Sequence, residues 1–305
     1  MTWYERFDKL AAERLPGLEV LRDAPMAERT SFRIGGPARR WVRPRSGEEL
    51  AALLKLAEEE NWPLLVVGNG SNLLVADEGL DRLVIHTGGL KDMKLEADGL
   101  TLTAEAGVSL ARLAEEALRR GLTGLEFAHG IPGSVGGGLY MNAGAYGGEL
   151  RQVVESARAY LPGEGVRTLT NGEMAFGYRR SVLMDRPGSA ALSARFRLAK
   201  GDPEAIRERM RELSRRRREK QPLEYPSAGS VFKRPEGHFA GGLIQECGLK
   251  GCRIGGAQVS EKHAGFIINA GGATCADVEA LIRHIQKTVK ERTGVTLEPE
   301  IRVLR

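Results

Sequence analysis

The chain has 305 residues, enough for two or three domains each with its own core. Hydrophobic residues at 42% and charged residues at 28% describe a globular protein and exclude a disordered or low-complexity chain. A formal charge of +5 permits an acidic or phosphorylated partner without requiring one, and no stretch approaches the roughly 18 apolar residues of a membrane span.

Met1-Thr2-Trp3-Tyr4-Glu5 leads into no apolar run, so no signal peptide is expected and the cytoplasm is the default compartment. Thr2 with Glu5 reads as a capping box, opening a short helix with Phe7, Leu10 and Ala11 on one stripe. An extended segment follows, turning at Gly35-Gly36-Pro37. Ser46 with Glu49 reads as a second capping box, before a helix with Leu50, Leu53, Leu54 and Ala57 on its apolar face. Leu64 to Val67 is a strand candidate that runs into Gly68-Asn69-Gly70-Ser71-Asn72, and Leu83–Ile85 and Leu100–Ala104 are further strands. Ser109 can cap a helix with Leu110, Leu113, Ala117 and Leu118, stopped by Gly121.

The middle reads as long loops, GIPGSVGGG from Gly130 to Gly138 and MNAGAYGG from Met141 to Gly148. Strands are expected near 156–160, 166–169 and 191–198, a helix from Pro203 to about Lys220, and a strand near Gly265–Asn269. A last helix opens at a Thr274–Asp277 box, carries Val278, Leu281, Ile282, Ile285 and Val289, and stops before Gly294. Strands often follow one another without an intervening helix, which predicts an α+β architecture instead of a regular doubly wound sheet.

Glycine is the compositional outlier, 39 residues concentrated in a few short segments, against roughly 7% in average proteins. Gly68–Asn72 follows a strand as a phosphate-binding turn does, but it lacks the third glycine and the helix of a dinucleotide fingerprint, and no Gly-Lys-Ser/Thr follows. Gly68, Asn69, Gly70, Ser71 and Asn72 still offer closely spaced N–H groups and small polar donors for a diphosphate; a plain β-turn is the ordinary alternative. The segment Gly130, Ile131, Pro132, Gly133, Ser134, Gly136 and Gly137 can lay exposed backbone against a flat ring system, where the ordinary alternative is a long structured loop. The two segments together suggest one cofactor bridging both.

Cys247, Cys252 and Cys275 cannot pair evenly, which suits a reducing compartment, and a C-x4-C spacing with one distant cysteine does not make a zinc set. They read as small buried side chains, and no metal is expected. His129 stands beside Gly130, near a flat cofactor if one is present, while His238 and His263 read as structural or lining residues. The basic helix with Arg207, Arg209, Arg211 and Arg215–Arg218 buries Ile206, Met210 and Leu213 and is interrupted by Glu208, Glu212 and Glu219. It reads as a solvated face, and no nucleic-acid or membrane partner is expected.

VGNGSN (67–72), GLEFAHGIPGSVGGGLYMNAGAYGGE (124–149), YRRS (178–181), PSAGSVFKRP (226–235) and LEPEIR (297–302) occur in this order. Together they resemble the UDP-N-acetylenolpyruvoylglucosamine reductase family, from about Thr30 to Leu304. The resemblance implies a non-covalent FAD in a vanillyl-alcohol-oxidase-type region over 1–200. It further implies a substrate domain over 201–305, whose final strand, about 295–304, returns to the active site. NADPH is the implied reducing co-substrate and a UDP-sugar the implied substrate, in peptidoglycan synthesis. By motif, Ser230 matches the proton donor, Arg179 the family's arginine and Glu300 its carboxylate, polarising the substrate or donating a proton. Read without the family, Ser230 is a turn residue and Arg179 and Glu300 are surface charges. Nine residues between Ser181 and Ala191 are too few for the tyrosine lid of the longer family form. The motifs leave open what clamps the uridine diphosphate: Tyr178, Lys220, Lys233 and Arg234 are the candidate substrate contacts, the last three as sources of positive charge around Ser230. A sugar-lactone oxidase of the same cofactor fold is the rival flavoenzyme; it has no need of Ser230 or Glu300. The motifs specify no oligomeric state.

Overall fold

The computed structural model describes residues 1–305, and the chain divides into two compact units. The first comprises 1–22, 39–69 and 82–215; the second comprises 23–38, 70–81 and 216–305.

In the first unit a sheet is built in the order Glu19–Pro25, Pro37–Arg43, Leu80–His86, Leu64–Val67, its last pair parallel with Leu64 opposite Leu83 and Val67 opposite His86. Two helices supply its core, Trp3–Arg14 with Phe7, Leu10 and Ala11, and Gly47–Glu59 with Leu50, Leu53, Leu54 and Ala57. Their apolar residues recur at the helical period, so each helix has one stripe that only packing removes from water. The Thr2 box is complete, with Thr2 Oγ1 accepting from Glu5 N and the Glu5 carboxylate accepting from Thr2 N. At Ser46 only half of the expected box exists. Ser46 Oγ accepts from Glu49 N at 3.2 Å, but the Glu49 carboxylate accepts from Arg45 N at 2.6 Å instead of from Ser46.

A second, antiparallel sheet runs Gly165–Thr170, Val154–Leu161, Ala190–Arg197, Thr101–Glu105, Met93–Leu95. Against it lie helix Leu110–Arg119, capped by Ser109, and helix Val135–Met141, capped by Ser134. That second helix corrects the expectation of an unbroken loop from 130 to 138. Glycine is a poor helix former, by about 1 kcal/mol relative to alanine. Tertiary packing wins here, because a Cβ at Gly136 would lie 3.0 Å from Ala106 Cβ and 3.2 Å from its carbonyl oxygen.

The second unit holds an antiparallel sheet ordered Ser227–Ser230, Phe266–Asn269, Ala257–Val259, Arg253–Ile254, and a parallel pair of Arg302–Leu304 with Leu73–Val75. Leu73–Val75 continues the first glycine loop as a strand, as read from the sequence. Helix Cys275–Thr293 carries the complete Thr274–Asp277 box and buries Val278, Leu281, Ile282, Ile285 and Val289. The Asp77 carboxylate accepts from Cys275 N and Ala276 N at 2.8 and 3.1 Å, satisfying two further orphan donors of that helix. Cys247 and Cys275 are buried, Cys252 is half-buried, and all three are free thiols. Strands and helices are mixed without regular alternation, the α+β class expected. No helix is long and apolar enough to cross a membrane.

Candidate functional site

In the first unit the glycine loop begins at the carboxyl end of strand Leu64–Val67, where parallel sheets present ligand-binding turns. Asn69 Nδ2 donates to Pro132 O at 3.0 Å, tying this loop to the second glycine segment. Gly68 lies so close to that segment that a Cβ would stand 2.1 Å from Ser134 Oγ. The two segments that the sequence sets about sixty residues apart are therefore one surface patch, with Gly130, Ile131, Gly133, Gly136 and Gly137 half-buried and Pro132 exposed. The helical turn takes up part of the expected donor set. Gly136 N donates to Ala106 O at 2.8 Å and Gly137 N to Ser134 Oγ at 3.3 Å. Neither N–H is free for a ligand, and the bare Cα of Gly136 faces Ala106.

The remaining loop residues belong to the second unit. Ser71 is half-buried. Asn72 does not end in the loop: its Nδ2 donates to Glu300 O at 3.1 Å and its carbonyl accepts from Arg302 N at 3.0 Å. Asn72 thereby fixes the backbone of the C-terminal segment.

Tyr178 and Arg179 occupy the tip of a turn in the first unit. Gly177 N donates to Arg180 O and Arg180 N to Gly177 O, at 3.0 and 3.3 Å. Arg179 has φ of 54°, a conformation costly for any residue with a Cβ. Its guanidinium donates to Gly144 O at 3.4 Å and lies 5.3 Å from the Tyr178 ring centroid. Arg180, next along, is drawn away to Asp185.

In the second unit Ser230 ends a strand, exposed, in register with Phe266. Glu300 comes alongside because Glu300 N donates to Val231 O at 2.7 Å and Phe232 bridges to Pro299. The unit thus brings together Ser230 and Glu300, seventy positions apart in sequence. Lys233 Nζ is 3.1 Å from the Glu298 carboxylate, and the Arg234 guanidinium lies 4.0 Å from the Phe239 ring centroid. Lys220 is exposed at the end of helix Pro203–Lys220. Burial holds the His263 imidazole below its usual pKa, helped by Lys250 and Lys220, and Nδ1 accepts from Gly265 N. His129, expected beside a cofactor, has Nδ1 3.1 Å from Ser214 Oγ and Nε2 3.5 Å from the Glu115 carboxylate.

Two residues escaped the sequence reading. Phe239, 66% exposed, is an apolar ring with no place in an apolar pattern. Asn142 lies within the 141–148 segment; an asparagine just past a helix is the one signal there, as it tolerates the left-handed conformation best after glycine.

Comparison with known proteins agrees across both units. Residues 38–170 match the FAD binding domain family, and 221–304 match the C-terminal domain of UDP-N-acetylenolpyruvoylglucosamine reductase. The reductase of that name from Clostridium perfringens is 47% identical over 304 residues, covering 100% of this chain and 99% of the relative. The one from Latilactobacillus sakei is 50% identical over 287 residues, 94% of each chain. The crystal structure of the Thermus caldophilus reductase superposes with a TM-score of 0.80 at 37% identity, over 94% of this chain and 99% of that one. An alkyldihydroxyacetonephosphate synthase, 18% identical with a TM-score of 0.50, spans 66% of this chain and 44% of its own and shares the fold alone. The FAD-binding fold of vanillyl-alcohol-oxidase type expected from the motifs is the fold observed.

Proposed function

We propose a function from one premise: the chain belongs to the UDP-N-acetylenolpyruvoylglucosamine reductase family and is an FAD-dependent oxidoreductase. The reaction is NADPH-dependent reduction of the enolpyruvyl group of UDP-N-acetylenolpyruvoylglucosamine, giving UDP-N-acetylmuramate for peptidoglycan in the cytoplasm. The cofactor region is assigned to residues 1–200 and the substrate domain to 201–305, except that 23–38 and 70–81 pack with the second unit and 201–215 with the first.

The observation that carries this reading is the meeting of Gly68–Asn69 with Pro132–Ser134 in the first unit. The contact is made by small polar side chains, Asn69 Nδ2 on Pro132 O and Ser134 Oγ beside the bare Cα of Gly68, and the donors around it are neutral amides and hydroxyls. That combination suits a diphosphate and a flat heterocycle held without a covalent bond. FAD, when bound, supplies the redox chemistry that carries two electrons from NADPH to the carbon–carbon double bond.

The chain's own residues supply the rest. A guanidinium stays charged at every working pH and pairs with a carboxylate through two N–H donors. Arg179 takes this role, holding the enolpyruvyl carboxylate and opposing the negative charge that develops on it. Ser230 donates its hydroxyl proton to the carbon that does not receive the hydride equivalent, and its oxygen recovers a proton from solvent. Glu300, with its backbone fixed on Val231, is the carboxylate of the set. Tyr178, Lys220, Lys233 and Arg234 contact the uridine diphosphate.

The purified protein is expected to be yellow, to bleach with NADPH and to recover its colour when the sugar nucleotide is added, with parallel-line kinetics as one cleft serves both substrates in turn. A colourless protein that takes up no FAD would refute the reading; rapid reoxidation by oxygen with indifference to the sugar nucleotide would favour the oxidase. The cofactor placement has its own test. Gly68→Ala should weaken FAD retention roughly 5- to 150-fold, the equivalent of about 1–3 kcal/mol of overpacking. Ser134→Ala, which removes the clashing oxygen, should restore part of it.

A further inference from the structure

Helix Val135–Met141 ends at Asn142, whose φ of 44° and ψ of 59° are left-handed and whose N–H returns to Gly138 O and Leu139 O. A helix stop of this kind needs only backbone, and glycine serves it best. The Asn142 side chain is nevertheless buried, 1% exposed, and nearly saturated with hydrogen bonds. Nδ2 donates to Glu149 Oε2 at 2.9 Å and to Gly177 O at 3.0 Å, and Oδ1 accepts from Arg151 N at 3.0 Å.

Those partners lie on two separate pieces of chain. Glu149 ends a small hairpin, Gly144–Ala145 with Gly148–Glu149, whose tip residues Tyr146 and Gly147 both have positive φ, 54° and 85°. Gly177 opens the turn that carries Arg179. The hairpin touches that turn a second time, because Arg179 donates to Gly144 O. The far shoulder of the turn is held by the same helix, through Ser181 Oγ donating to Tyr140 O at 3.0 Å. Asn142, Tyr146, Ala175 and Arg179 are four non-glycine residues in left-handed backbone within two short segments. Each costs on the order of 1–3 kcal/mol, and such conformations persist only where the surroundings over-determine them. Asn142 is the one buried side chain that bonds to both segments.

We infer that Asn142 is a positioning residue: its carboxamide locks the Gly177–Arg180 turn to the 144–149 hairpin and so aims the Arg179 guanidinium at the substrate carboxylate. The inference rests on the role proposed above for Arg179. The ordinary reading, a helix cap and no more, is separable from it because the cap uses the backbone and the aiming uses the amide.

Asn142→Gly keeps the left-handed stop and deletes the amide. Asn142→Asp keeps the shape and the acceptor for Arg151 N, but turns an acceptor toward Gly177 O and Glu149. Both holoenzymes would be titrated with UDP-N-acetylmuramate, which carries the carboxylate, and with UDP-N-acetylglucosamine, which does not. The expected result is FAD content at the wild-type level, weaker binding of the carboxylate-bearing ligand by roughly 10- to 150-fold, the span of one lost charge-assisted contact, and unchanged binding of the other. In an Arg179→Ala background the Asn142 substitutions should add nothing, as for residues that act through one another. Equal weakening of both ligands, or a loss that adds to that of Arg179→Ala, would overturn the inference and leave the functional reading standing. If Arg179→Ala alone spares the preference for the carboxylate, the role of Arg179 fails and the inference fails with it.

Discussion

The turn that carries Arg179 in the first unit and the strand that carries Ser230 in the second differ in where their conformational cost falls. Arg179 sits in left-handed backbone at a two-residue tip, held from outside by the amide of Asn142 on Gly177 O. Ser230 sits in extended backbone, paired in register with Phe266, and its neighbour Val231 N donates to Gly265 O at 2.9 Å. Glu300 is placed the same way, through Val231 O. One position stores strain that its surroundings must hold; the other follows an irregularity in register whose left-handed residue is Gly229, φ 79°, where that backbone costs little, so that sheet pairing with Phe266 stabilises the unit as it aims the side chain. Changes at the turn should therefore separate function from stability. Changes to the backbone of the strand should not, although changes to its exposed side chain can.

The largest expected effect tests that last clause. Ser230→Ala removes one exposed hydroxyl and leaves every ladder bond in place, so the melting temperature should stay within about 2 °C of wild type, as for surface substitutions of ±0.5 kcal/mol. Reoxidation by the enolpyruvyl substrate should slow by about 10²–10⁴-fold, the usual loss for a positioned general acid. Reduction by NADPH should be nearly intact, since no proton is then delivered to the sugar. Stopped-flow absorbance separates the two halves. Equal slowing of both would mean that Ser230 shapes the cofactor surface instead.

At the turn the expected effect is smaller and its two parts have opposite signs. Arg179→Gly loses a charged partner for the carboxylate, about 1.5–3 kcal/mol or roughly 10- to 150-fold in ligand affinity. Glycine also relieves the left-handed backbone, worth about 1–2 kcal/mol, less about 0.5–1 kcal/mol for its own entropy. Thermal unfolding should show a melting temperature unchanged or raised by no more than about 4 °C. A marked fall would show that the guanidinium holds the turn together, and the contrast with Ser230 would collapse.

The same difference decides how much could be read beforehand. The Thr274 box and the stripe from Val278 to Val289 are local patterns with a 3.6-residue period, and helix Cys275–Thr293 has the expected ends and the expected buried face. Pro203–Lys220 was equally legible, with Ile206, Met210 and Leu213 buried. The strands 227–230, 253–254 and 257–259 are short and in part glycine-bearing, and their partners are set by the fold, so no period announced them. Gly136–Gly138 reads as loop by propensity, and only contact with Ala106 and Leu150 makes it helix. Ser46 reads as a full box, and Arg45 N takes the carboxylate that would complete it. At the site, Ser230, Arg179 and Glu300 were named by the order of motifs. The bonds of Asn142 to Gly177 and of Asn72 to Glu300 span 35 and 228 positions and leave no local trace.

The smallest effect expected is in the regular structure of the second unit, where the Thr274–Asp277 box shows how stability there depends on pH. Thr274 Oγ1 accepts from Asp277 N at 3.1 Å, while Asp277 Oδ2 accepts from Thr274 N at 3.0 Å and from Gly256 N at 3.2 Å. The bonds from Thr274 and Gly256 hold the Asp277 carboxyl below its usual pKa. The unfolded chain has no such bonds, so its Asp277 titrates near 3.9. A carboxyl whose folded pKa is the lower of the two stabilises the fold above the unfolded value, and that contribution disappears as the pH falls through the folded value. Thr274→Ala should cost about 1 kcal/mol, the usual value of a side-chain cap, and lower the melting temperature by about 2–4 °C. Asp277→Asn should be destabilising at pH 7, and its difference from wild type should shrink as the pH falls below about 3.9. Denaturant melts of the two variants at pH 7, 5 and 3 would measure both, with the wild type beside them. A difference for Asp277→Asn that stays constant down to pH 3 would assign the loss to packing against Gly255 and Gly256, because only a loss of the ionised form carries that pH dependence.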